Sequence, residues 1–182
     1  MPLFLLHLMN TGLGPFYDGL VHFFTTPEDV LPVLALSLFS GLRGPRAGRS
    51  ALFALPAAWL LGALIGRVFP PHWIWPVASA VLTVALGVLA AADRPLPPAA
   101  IAALALVLGL WNGSWNGIEL ARARAPIFGN AVGAACAVFT VVALVAALSA
   151  AIRAPWARIA VRVGGSWIGA AGLFMLGWAL RA

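Results

Sequence analysis

The sequence predicts an all-α membrane protein: a bundle of about six transmembrane helices, seven if the N-terminal segment also crosses. Three observations carry that reading. Of the 182 residues, 63% are hydrophobic and 9% charged, with a mean hydropathy of +1.00; a water-soluble domain carries roughly 25% charged residues. The apolar residues gather in stretches close to the roughly 20 that a bilayer-crossing helix requires. Arginine, proline and glycine punctuate those stretches, leaving no length for an aqueous domain, so residues 1–182 read as one integral-membrane unit in contact with the lipid bilayer.

Residues 1–26 are apolar enough to span, but Asn10-Thr11-Gly12-Leu13-Gly14-Pro15 breaks their middle. Non-helical backbone at membrane depth survives only against protein or a wet cavity. This broken segment is therefore expected half-inserted or surface-lying, packed on the bundle. The first span, 30–42, ends at Arg43-Gly44-Pro45-Arg46, and the second, 50–66, ends at Arg67. The third, 73–92, stops at Asp93-Arg94-Pro95; the fourth, 97–110, runs into Trp111-Asn112-Gly113. Spans 126–152 and 159–180 complete the six. Proline at the head of several spans suits the first helical turn, where its missing N–H is no loss. Pro32 and Pro56 lie deeper and should kink or open their helices.

The net charge of +6 comes from eleven arginines and no lysine, scattered without a run. A nucleic-acid partner is excluded, because it needs a contiguous basic stripe. In a six-span layout Arg43, Arg46, Arg49, Arg94, Arg153, Arg158 and Arg162 share one side, and Arg67, Arg122, Arg124 and Arg181 share the other. The richer side is expected to be cytoplasmic, with both termini outside. The expected location is multi-pass, in a bacterial inner (cytoplasmic) membrane. His7, His22, His72, Asp18, Glu28, Asp29 and Glu119 then fall on the outer side, and Asp93 alone on the inner. Either they form a cation-attracting vestibule, or arginine-poor loops simply retain them. The lone Cys136 excludes a disulfide framework and a thiolate metal cluster. With no basic region and no small-residue cleavage site, the N-terminus is not expected to be a cleaved signal peptide.

Two polar stretches could carry chemistry. In Thr26-Pro27-Glu28-Asp29, Thr26 is a good N-cap, Pro27 suits the first helical position, and Asp29 three residues on approximates a capping box. Yet Glu28 to Arg43 makes only about 24 Å of helix at 1.5 Å per residue, short of the roughly 30 Å hydrocarbon core. Carboxylates drawn to such depth mark ion or proton paths, and His22 is the candidate partner. In the second stretch, Gly109, Gly113 and Gly117 recur at helical spacing, with Asn112 and Asn116 on the neighbouring face and Glu119 beyond. Two amides and an acid could bind a cation or an uncharged solute; alternatively the amides glue helices together while the tryptophans anchor the interface, and Glu119 pairs with Arg122. Asn130 permits the same two readings. Small-residue pairs at Gly62/Gly66, Gly129/Gly133 and Gly165/Gly169 indicate tight helix packing, and such glycine-rich faces could also dock a second copy or a membrane-complex partner. No nucleophile-and-base pair, phosphate loop or HExxH is present, so an enzyme is not expected.

The stretch from Gly14-Pro15-Phe16-Tyr17-Asp18 through His22 to Glu28-Asp29, with the glycine- and tryptophan-rich fourth span, resembles the HupE/UreJ membrane family. The resemblance covers nearly the whole chain. It implies a small multi-span protein of the kind associated with hydrogenase and urease gene clusters, either a nickel permease or an accessory protein. His22 falls on the first histidine of the family's opening motif, while Glu28 and Asp29 stand where Asp and His are usual. Asn112, Ser114 and Asn116 occupy the positions of a histidine-rich stretch, with Gly113, Gly117 and Glu119 kept. The implied ligand set is thus His22, Glu28, Asp29, Asn112, Asn116 and Glu119. Its mostly oxygen donors suit magnesium, calcium or manganese better than nickel. The expected function is a permease for a divalent metal cation or small solute, the metal being substrate and no resident cofactor being required; the alternative is a non-transporting accessory or assembly subunit.

Overall fold

The computed structural model describes residues 11–69 and 74–181; His7 and His72 lie outside them. Seven helices follow in order: α1 Pro15–Thr25, α2 Pro27–Leu42, α3 Pro45–Gly66, α4 Ile74–Ala92, α5 Pro98–Arg122, α6 Ile127–Ala151 and α7 Pro155–Ala179. The five from α3 to α7 are long and apolar enough to cross a bilayer, which makes the chain a multi-pass integral membrane protein. No strand occurs among the described residues. Proline opens α1, α2, α3, α5 and α7, at the position where an unbonded N–H would otherwise be exposed.

Three boundaries depart from the apolar stretches. Helix α5 does not stop at Leu110 but continues to Arg122, because its polar residues find partners inside the bundle. Helices α3 and α7 begin earlier than their apolar stretches, so that Arg46, Arg49, Arg158 and Arg162 lie in their opening turns.

Helix α2 is the shortest element after α1, yet it touches all six others. Ten of its 16 residues are buried, among them Asp29, Ser37 and Ser40. Within the helix Ser37 donates to the Val33 carbonyl and Ser40 to that of Ser37, so both hydroxyls are satisfied locally. Ahead of α2, α1 packs across the head of α6: Gly19 lies against the Asn130 main chain and Gly133 against that of Phe16. The segment entering α1 is closed by Asp18, whose Oδ1 accepts from both the main-chain N–H and the hydroxyl of Thr11 at 2.7 Å. Those bonds favour the carboxylate and hold its pKa below the ordinary value.

Glycine sets the helix spacing. A Cβ on Gly109 would lie 2.6 Å from the Leu55 carbonyl oxygen; on Gly113 it would strike the Trp59 carbonyl, and on Gly117 that of Ala63. Leu55, Trp59 and Ala63 thus ascend in step with Gly109, Gly113 and Gly117, so α3 and α5 run parallel with their backbones touching. From the other side Gly62 and Gly66 meet Leu110 and Ser114. Helices α4 and α7 pack antiparallel, Gly165 against Ala90 and Gly172 against Val84, and Gly41 of α2 meets Ala146 and Ser149 of α6. These faces are filled within the chain. They are therefore not the docking surfaces that sequence spacing offered to a partner, because a helix backbone already occupies each groove.

The arginine-bearing loops converge at one end. Arg43 pairs with Asp93, which also accepts from Arg158 Nη2 at 3.2 Å, and Arg162 Nε donates to the Ala91 carbonyl at 2.8 Å. One carboxylate thereby ties the ends of α2 and α4 to the start of α7.

The α3–α5 contact leaves no room for a methyl group. Gly113→Ala should destabilise the protein by about 1–3 kcal/mol through overpacking, read as a lower unfolding temperature in detergent. Gly177→Ala is the control, since nothing lies within 4 Å of a Cβ there; it should be neutral or slightly stabilising.

Candidate functional site

The site begins with a missing hydrogen-bond donor. Pro32 has no N–H to offer the carbonyl of Glu28, one turn back. Asn112 of α5 takes that place, donating from Nδ2 to the Glu28 carbonyl oxygen at 3.0 Å. The next residue, Asp29, is 2% exposed. Its Oδ2 accepts from Asn116 Nδ2 at 3.0 Å and its Oδ1 from Asn112 Nδ2 at 3.4 Å. Asn116 Nδ2 also reaches the Asn112 carbonyl at 3.0 Å, one turn earlier on the same helix, and Ser79 of α4 donates to Asn112 Oδ1 at 3.2 Å. Helices α2 and α5 thus meet on one carboxylate, and α4 holds one of its two donors in place.

The cap expected at Thr26 does not form. Thr26 holds the N-cap position of α2 without a side-chain cap bond, and its hydroxyl turns back to donate to the His22 carbonyl at 2.8 Å. The physical reason is the abrupt end of α1 at Thr25, which leaves carbonyls in its last turn needing donors. Asp29 does not reach back to the cap either, because both of its oxygens face α5.

A second polar pair lies beside the first. His22 Nε2 stands 3.9 Å from Glu119 Oε2, both side chains being largely buried. This replaces the pairing of Glu119 with Arg122 expected along the helix: no such ion pair occurs among the described residues. Asn116 connects the two groups, since it bonds Asp29 and also lines a small cavity together with His22 and Asn130.

Of the six candidates read from the sequence, His22, Asp29, Asn112, Asn116 and Glu119 bring their side chains into this region. Glu28 does not; its side chain is exposed and only its carbonyl takes part. Ser79 and Trp59 were not legible as members. A single serine in an apolar helix carries no spacing signal, and neither does a lone tryptophan in mid-span; Trp59 is fully buried and packs edge-on against Phe23 at 5.8 Å.

Chemically, amide N–H groups aimed at a carboxylate complement an anion. Rotation of the two amides would turn carbonyl oxygens inward and convert the same set into a cation site. Among the described residues no three His, Cys, Asp or Glu side chains gather as a metal-holding group, so any cation would rest on one carboxylate, amide oxygens and the neighbouring His22–Glu119 pair.

The family model for HupE / UreJ protein matches residues 2–175. The chain belongs to the HupE/UreJ family. No curated protein and no solved structure matches it. As a HupE/UreJ protein it is a divergent member, for its described residues hold no metal-binding histidine cluster.

The hydrogen bonds to Asp29 predict strong coupling. Asn116→Ala should cost about 1–3 kcal/mol by leaving a buried carboxylate short of a donor. In an Asp29→Asn background the same change should cost at least about 1 kcal/mol less. A double-mutant cycle by chemical denaturation in detergent checks this, and additive losses would contradict it.

Proposed function

We propose that this HupE/UreJ protein is a permease for a small divalent cation, with Asp29 as the residue that engages the ion and His22, Asn112, Asn116 and Glu119 around it. The observation that carries this reading is Asp29 itself, a buried carboxylate inside a bundle whose only partners are amide N–H groups and which forms no ion pair among the described residues. Burying a carboxylate at such depth is costly and characteristically marks an ion path. In this reading α2 to α7 are six crossings, α1 is a half-inserted element, and the Arg43–Asp93–Arg158 end faces the cytoplasm of a bacterial inner membrane. The 16 residues of α2 make about 24 Å of helix, so Asp29 is drawn below the outer interface while exposed Glu28 stays at its mouth.

With one imidazole and otherwise oxygen donors, the site favours harder ions. Nickel, the metal implied by family resemblance, should bind more weakly than at a histidine-rich site and should be little preferred over Mn²⁺ or Mg²⁺. The hydrogenase or urease connection rests on family membership alone. A second reading, a non-transporting accessory subunit, draws on the same geometry, since amides that already satisfy Asp29 make a stable closed core.

Calorimetry and proteoliposome uptake with Mn²⁺, Mg²⁺ and Ni²⁺ separate the two. Asp29→Asn should lower affinity and uptake at least about tenfold, the scale of a lost charged ligand, while Glu28→Gln should leave both close to wild type. Absence of binding by the wild-type protein would overturn the cation-permease reading and favour the accessory one. Orientation is tested by single-cysteine labelling in a Cys136→Ala background: a probe at residue 47 should be protected from outside and one at residue 182 accessible, and the reverse would overturn the topology.

A further inference from the structure

A cavity of about 10 Å³ lies where α1, α3, α5 and α6 meet, lined by His22, Trp59, Asn116 and Asn130 among small apolar residues such as Ala63 and Ala134. That is the space of one water molecule. Voids of this size walled only by hydrocarbon stay dry, but four of these lining residues carry hydrogen-bonding groups. Each is at most 5% exposed. Trp59 decides the matter: it is 0% exposed, and its indole N–H has no acceptor among the described residues. An indole nitrogen can only donate, and a buried donor without a partner forfeits the hydration it had in the unfolded chain.

We infer that this cavity is a binding site for a single water molecule, which accepts from the Trp59 indole N–H and meets the polar side chains of Asn116, Asn130 and His22. A buried water typically makes about three hydrogen bonds, and His22, Trp59, Asn116 and Asn130 bring polar groups to the cavity lining from four different helices. Its position is informative. His22 faces Glu119, and Asn116 bonds Asp29, so the water joins two polar groups that the helices otherwise keep apart, completing a polar thread from Glu119 to Asp29. It also explains why a tryptophan is accommodated at the centre of α3, where its main chain already touches Gly113. The inference rests on the cavity and on Trp59, and it stands whether or not the protein transports a cation.

The test uses the full chain in lipid nanodiscs with ¹⁵N-labelled tryptophan, indole signals being assigned by single Trp→Phe substitutions. A long-lived water should give the Trp59 indole proton a rotating-frame Overhauser peak with water, opposite in sign to chemical exchange. Its absence in the wild-type protein would overturn the inference. Ala134→Val provides an independent readout by filling the cavity. Expulsion of a bound water should abolish the peak and lower the unfolding temperature by about 3 °C, whereas a raised unfolding temperature would show that the cavity was dry.

Discussion

The Asp29 carboxylate and the Glu28 carbonyl, at the head of α2, must be satisfied by other helices, because α2 packs against all six of them and most of its length is buried. This constraint organises the site and much of the fold. Pro32 frees the Glu28 carbonyl, Asp29 adds two acceptor oxygens, and both demands fall at the head of a buried helix. Two asparagines on α5 meet them, and Ser79 on α4 holds one of those asparagines in place. In an apolar bundle an unmet acceptor costs far more than a typical hydrogen bond gains. The relative rotation of α2, α4 and α5 is therefore tightly specified.

That rotation is possible only because α3 and α5 approach to backbone contact. Gly109, Gly113 and Gly117 turn toward α3, and the residues immediately before two of them, Asn112 and Asn116, are thereby turned toward α2. Lipid offers helices no hydrophobic reason to associate, so close packing and a few interhelical hydrogen bonds hold the bundle together. Here the two devices share one helix, and its successive faces serve each in turn.

Charge is divided between the ends. The arginine-rich loops gather around Asp93, where guanidinium groups from α7 and the α2–α3 turn share one carboxylate. The opposite end holds Asp29, Glu119 and His22 without an arginine among their ion-pair partners. One end is closed by strong pairs. The other places Asp29 against amide N–H groups and Glu119 beside His22.

The sequence by itself determined the class of molecule, its helix count to within the N-terminal segment, and the residues worth watching. Hydropathy and arginine placement are properties of composition along the chain, and the bilayer reads them segment by segment. Asn112, Asn116 and Asp29 were legible because amides and acids are rare in apolar helices, and the glycine spacing correctly indicated close contact. Which face met which helix was not legible. The glycine grooves read as surfaces for a partner until α3, α4, α6 and other neighbours were seen to fill them. Thr26 read as a cap, and Glu28 as an equal partner of Asp29, because local patterns cannot register that α1 ends immediately before the cap or that adjacent residues on a helix point about 100° apart. Ser79 and Trp59 joined the site through contacts 33 and more residues distant in sequence. Only the tertiary structure could decide those, since hydrogen bonds between helices depend on rotation and depth, and neither is encoded in a single segment.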